Sequence, residues 1–119
     1  MSGDRAGGAT SAELASSFDA EPDDPAWATA IEPDVRARAA AAVADAGARF
    51  GEVRCRSQRC RITADGDEDA VGRAIARLEE PGGLAGLADA LVVAATEPTA
   101  DGGLHLVVYA YFERDPAAP

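Results

Sequence analysis

The sequence predicts an α+β fold. We expect a two-layer sandwich: a four-stranded antiparallel sheet with two helices on one face, in the order α-β-β-α-β-β. Three observations predict it. An apolar stripe at three- and four-residue spacing runs from Trp27 to Ala46. Two short strand-like segments flank the six residues from Cys55 to Cys60. Two apolar runs, separated by the turn signal Pro98 to Gly103, close the chain.

Each element has a local reason. Residues 1–20 are rich in Gly, Ala, Ser and Thr, with Leu14 and Phe18 as isolated larger apolar residues, and read as a disordered linker. The folded domain is expected over residues 21–115, with a tail at 116–119. Asp24 is a good N-cap, and Pro25 suits the first helical position. Trp27, Ile31, Val35, Ala39, Ala42, Val43 and Ala46 then share one helix face, and Gly47 ends it. The stripe keeps its phase across Pro33, so one helix bent there is expected rather than two. Arg49 to Arg54 and Cys60 to Ala64 read as strands. Asp67 caps a second helix with Glu68 and Asp69 in its first turn, where they suit the helix dipole. Val71, Ile75 and Leu78 form its buried stripe, and Pro81-Gly82-Gly83 stops it. Residues 84–89 suggest one short turn. Leu91 to Glu97 and Leu104 to Arg114 complete the sheet.

At 119 residues the chain has the length of one domain. Much of its apolar content is alanine, so large core side chains are few. Trp27, Ile31, Val35, Val43, Phe50, Val53, Ile62, Val71, Ile75, Leu78, Leu84, Leu87, Leu91, Val93, Leu104, Leu106, Val108 and Phe112 form the expected core. The net charge is −10. That argues against nucleic-acid binding, which needs a cationic face, and against docking on an anionic membrane. It permits a basic partner. No stretch approaches a membrane span. Met1 to Ala20 has no cationic start followed by an apolar run, so an exported form is expected to be a mature fragment.

Cys55 and Cys60 are expected directly opposite each other across a hairpin closed by Arg56-Ser57-Gln58-Arg59. A non-hydrogen-bonded pair brings Cα atoms to about 4.5 Å, the short edge of disulfide geometry. Three readings stand side by side: a structural disulfide in an oxidising compartment, two inert reduced thiols, and a redox pair. The even count, the close spacing and the hairpin flanks favour the first. Zinc is disfavoured, because only His105 could join the thiols and a structural site wants four ligands.

Segment 49–61 carries Arg49, Arg54, Arg56, Arg59 and Arg61 against Glu52, so it is +4 and the remainder is −14. Strand alternation puts Val53, Cys55, Cys60 and Ile62 on one face. Arg54 and Arg61 then meet on the other, an unfavourable like-charge pair. In the last strand, His105, Val107, Tyr109, Tyr111 and Glu113 share one face. If that face joins the arginines, Tyr109 and Tyr111 stack under guanidinium groups, and Glu52, Glu97 or Glu113 can pair with them. The candidate binding set is therefore Arg54, Arg56, Arg59, Arg61, Tyr109 and Tyr111, an open platform for a protein or an anionic ligand. The alternative is that these arginines pair with the chain's own carboxylates.

No catalytic, cofactor or metal motif accompanies these residues, and a non-enzymatic protein is expected. Gly82-Gly83 lacks the lysine of a phosphate loop. There is no Gly-x-Ser-x-Gly. Asp65-Gly66-Asp67-Glu68-Asp69 lacks the spacing of a calcium loop. His105 reads as a sheet residue.

Phe18-Asp-Ala-Glu-Pro-Asp-Asp-Pro-Ala-Trp27, then Glu32, then Val53-Arg-Cys-Arg-Ser-Gln-Arg-Cys-Arg-Ile62 carry a resemblance. Over residues 18–65 the chain resembles uncharacterised exported or lipoprotein-type domains of GC-rich Gram-negative bacteria. These have an Asp-Pro-x-Trp leader and a Cys-Arg-x-x-x-Cys-Arg hairpin. The resemblance implies a periplasmic or cell-envelope setting and an oxidised Cys55–Cys60 pair. It implies no activity. The leading expectation is a binding domain acting through the Arg/Tyr face. A thiol–disulfide redox protein, and an acidic inhibitor or immunity-type protein for a basic partner, are the alternatives.

Overall fold

The computed structural model describes residues 11–113. The elements are α1 (Ser11–Ala20), α2 (Pro25–Asp45), β1 (Arg49–Cys55), β2 (Arg59–Gly66), α3 (Glu68–Leu78), a 3-10 turn (Leu84–Gly86), β3 (Ala90–Pro98) and β4 (Leu104–Tyr111). The α+β class holds, and the four strands form one antiparallel sheet in the order β1-β2-β4-β3.

The helix signals act as expected. Asp24 accepts a hydrogen bond from Trp27 N, and Pro25 opens α2, which continues through Pro33. Gly47 ends it with φ +84°, a left-handed conformation that glycine adopts without steric penalty. Asp67 caps α3 by accepting from Ala70 N at 2.7 Å. Both helices pack on one sheet face, where Val35, Val43, Val71 and Leu78 meet Val53, Ile62, Leu106 and Val108. Arg77 pairs with Asp45 at 2.9 Å and Arg73 donates to the Ala46 carbonyl at 3.2 Å, which joins α3 to the end of α2.

Two bulges shape the edge strands. In β1 the register shifts between Phe50 and Val53, which are opposite Ala64 and Ile62. Both therefore face the core although they are three residues apart. Glycine is required there: a Cβ on Gly51 would lie 2.3 Å from Thr63 Oγ1. In β3 the shift falls between Val93 and Ala95. The helix layer leans on β1 and β2, and Val93, expected in the core, is 40% exposed on the far edge strand.

The layering differs from expectation. Residues 11–20, read as linker, form α1, and α1 lies on the sheet face opposite α2 and α3. Its Phe18 is fully buried against Tyr109, with ring centroids 5.5 Å apart. The arrangement is thus not a two-layer sandwich with one open face: a third, partial layer precedes the expected order. The physical cause is the aromatic and cationic surface of β2 and β4, which buries an apolar ring that the local composition alone would leave in solvent. The last strand is shorter than expected, ending at Tyr111, and Phe112 N donates to Gln58 O at 2.8 Å. The linker expectation for residues 1–10 and the tail at 116–119 fall outside the described residues. Among the described residues no helix is long and apolar enough to cross a membrane.

Candidate functional site

The hairpin between β1 and β2 carries the site. Cys55 and Cys60 are directly opposite and form a disulfide, with Cα atoms 3.9 Å apart. Arg56 N donates to Arg59 O at 2.9 Å, so the ladder runs one pair beyond the cysteines and Ser57 and Gln58 form the tip. Both cysteines point to the core and are buried. Cys55 N donates to Glu32 Oε2 of α2 at 3.0 Å, which ties this strand end to the helix layer.

The opposite face gathers the arginines. Arg54 and Arg61 are paired across the ladder, as the alternation predicts. Arg59 lies opposite Tyr111 and Arg61 opposite Tyr109 in the β2–β4 register. The Arg59 guanidinium is 5.7 Å from the Tyr109 ring centroid and 5.3 Å from that of Tyr111. It also donates to Tyr111 Oη at 3.2 Å. Five of the six expected residues are thus brought together: Arg56, Arg59, Arg61, Tyr109 and Tyr111. Arg54 stands apart, exposed, with no partner among the described residues.

The cluster is not an open platform. Phe18 sits inside it, with the guanidinium carbons of Arg56, Arg59 and Arg61 at 5.1, 5.6 and 5.1 Å from its ring. Guanidinium groups over an aromatic face are attracted by its quadrupole. Beneath Phe18, Tyr109 is only 1% exposed. Three residues on, the Glu21 carboxylate closes over the hairpin tip. One oxygen accepts from Arg59 Nε at 2.7 Å; the other accepts from Gln58 N at 2.7 Å, Ser57 N at 2.9 Å and Ser57 Oγ at 3.0 Å. Asp23 takes Arg56 Nη1 at 2.8 Å, and Ser17 Oγ accepts from Arg59 Nη2 at 2.6 Å.

Burial alone would raise the Glu21 pKa. The hydrogen bonds from Arg59, Gln58 and Ser57, together with the Arg59 charge, outweigh it and hold the carboxyl below the ordinary glutamate value. Burial likewise disfavours the Arg59 cation, but the bonds to Glu21 and Tyr111 raise its pKa instead.

Ser17, Phe18, Glu21 and Asp23 were not anticipated at this site. The usable signal was the i, i+4 spacing of Leu14 and Phe18 in a segment free of Gly and Pro. Of the carboxylates expected to pair with the arginines, Glu52 approaches Arg61 at 3.9 Å. Glu97 is opposite His105 instead, and Glu113 N bonds Asp89 at 2.5 Å. His105 Nδ1 meets Asp65 Oδ1 at 2.8 Å across the ladder.

Beside α1, the same face keeps a groove of about 500 Å³. Its lining includes Glu52, Arg61, Thr63, Glu97, His105 and Tyr109, with Ala12 and Ala15 of α1 along its side. The groove presents one guanidinium, Arg61, with the Glu52 and Glu97 carboxylates and His105 around it. Among the described residues no cluster of three or more His, Cys, Asp or Glu could hold a metal ion. No protein-family model, no curated protein and no solved structure matches the chain.

Proposed function

We propose that this protein is a non-enzymatic periplasmic or cell-envelope domain that binds a protein segment on the sheet face formed by β2 and β4. The observation that carries the reading is the groove beside α1, with Tyr109 and Arg61, one of the three arginines around Phe18, in its lining. A peptide partner fits better than a free anion. Arg56, Arg59 and Arg61 already have carboxylates within ion-pair distance, and Glu52 and Glu97 make the groove itself acidic. The oxidised, buried cysteine pair suits an oxidising compartment.

The redox reading is weaker, because thiol–disulfide exchange needs an accessible sulfur and Cys55 and Cys60 are 5% and 0% exposed. A reduction potential below about −300 mV would class the bond with resistant structural disulfides. The inhibitor reading has the net charge in its favour and no matching geometry.

The test is crosslinking capture from an envelope extract with Arg54→Glu/Arg61→Glu. Captured protein should be lost. The thermal midpoint should move by less than about 5 °C, a shift of order 1 kcal/mol. Capture that survives the charge reversal overturns the reading. A large fall in stability assigns the two arginines to the fold instead.

A further inference from the structure

We infer that α1 is an internal ligand of this face, and that the face accepts in trans a partner segment presenting an aromatic ring and, three residues later, a carboxylate. The inference rests on the binding reading above and names its partner chemistry.

Phe18 and Glu21 supply that pattern from the chain itself. The ring lies among three guanidinium groups, and the carboxylate takes four hydrogen bonds. Nothing in this recognition requires the ring and carboxylate to come from the same chain as the arginines.

Three features make α1 displaceable. Phe18 is its one buried residue among those whose side chains are described. Its ten described residues are fewer than the roughly 12–15 that an isolated helix needs in water, so their order draws on docking. Its docking is also incomplete. Arg56 Nε is buried and makes no hydrogen bond among the described residues. A partner offering that N–H an acceptor gains an interaction that α1 lacks. The groove next to Ala12 and Ala15 further leaves room for larger apolar side chains than α1 provides.

Being tethered, α1 competes at an effective concentration in the millimolar range. It therefore screens the face against weak or partial matches, and only a segment with both groups displaces it.

The test uses the full chain and a fluorescent peptide of residues 11–24. Phe18→Ala/Glu21→Gln protein lacks the intramolecular ring and the carboxylate charge. The peptide should bind this variant at least tenfold more tightly than wild type, and a Phe18→Ala peptide should bind it at least tenfold more weakly. Equal affinity for both proteins, or no binding to either, overturns the inference. Should the double variant not fold, the wild-type chain decides. Excess peptide should move the Phe18 ring resonances of the protein toward their free values, and resonances that stay fixed overturn it. Capture lost with Arg54→Glu/Arg61→Glu while the peptide fails would sink only this inference, because capture reports any partner held by the arginine face whereas the peptide reports the Phe18 and Glu21 pattern alone.

Discussion

Glu21 closes over the tip of the first hairpin and takes Arg59 Nε at 2.7 Å, with side-chain exposures of 12% and 7%. A pair this well covered is not interchangeable with the surface pairs of the same protein. Removing one partner of a buried pair leaves the other charge desolvated, at about 3–5 kcal/mol. Glu21→Gln keeps some of the hydrogen bonds, so we expect a loss of about 2–3 kcal/mol in urea unfolding. Asp45→Asn, which breaks the half-exposed pair with Arg77, should change stability by less than about 1 kcal/mol. Equal effects from the two substitutions would refute the distinction.

The same carboxylate sets a pH dependence. Its folded pKa lies below the ordinary value of 4.5, so its stabilising effect is complete above about that pH. The effect is lost as pH falls through the folded value. Wild type and Glu21→Gln should therefore differ most at neutral pH and converge below about pH 4.5. Asp101 is also held low, by the Thr99 hydroxyl and then Gly103 N. Its contribution is common to both proteins and cancels in the difference. Unfolding free energies at half-unit steps from pH 2 to 7 check this; a gap constant with pH would contradict it.

Much of the fold was legible because its signals are local. Asp24-Pro25 and Asp67 mark helix starts through their own side chains, and Cys55 opposite Cys60 follows from hairpin alternation. The Arg54–Arg61 opposition followed from that register. Two things were not legible. The bulge at Gly51 depends on contact with Thr63, twelve positions along. The docking of Phe18 depends on a surface assembled from β2 and β4, and nothing in residues 11–20 encodes that surface. The arginines announced a need for compensation; the ring that meets part of it, Phe18, lies in the segment with the composition of a linker, and the carboxylates of Glu21 and Asp23 lie just beyond it.

The disulfide is a short closure. Six residues from Cys55 to Cys60 give a loop-entropy contribution of about 2 kcal/mol. Cys55→Ala/Cys60→Ala should be less stable by about that amount and keep the same sheet, because β1 and β2 remain paired along their length. Denaturation midpoints and circular dichroism check both halves. Unfolding on reduction would mean the hairpin depends on the bond far more than closure entropy allows.

Gly51 offers a sharper packing test. Gly51→Ala places a Cβ 2.3 Å from Thr63 Oγ1 and 3.0 Å from Thr63 O. Overpacking of this kind costs about 1–3 kcal/mol. Adding Thr63→Ala removes the hydroxyl clash but leaves the carbonyl, so rescue should be partial. A double-mutant cycle reads the coupling. Strict additivity would show that the clash with the hydroxyl is not the cause.

The four residues between α1 and α2 pass around the hairpin tip, from one face of the sheet to the other. This makes the N-terminal end of the domain a force path. A pull on the chain ahead of α1 loads the Phe18 pocket and the Glu21 bonds before it reaches any strand. Counted from that end, the contacts of Phe18 and Glu21 come before any strand, and the disulfide-closed hairpin lies behind them.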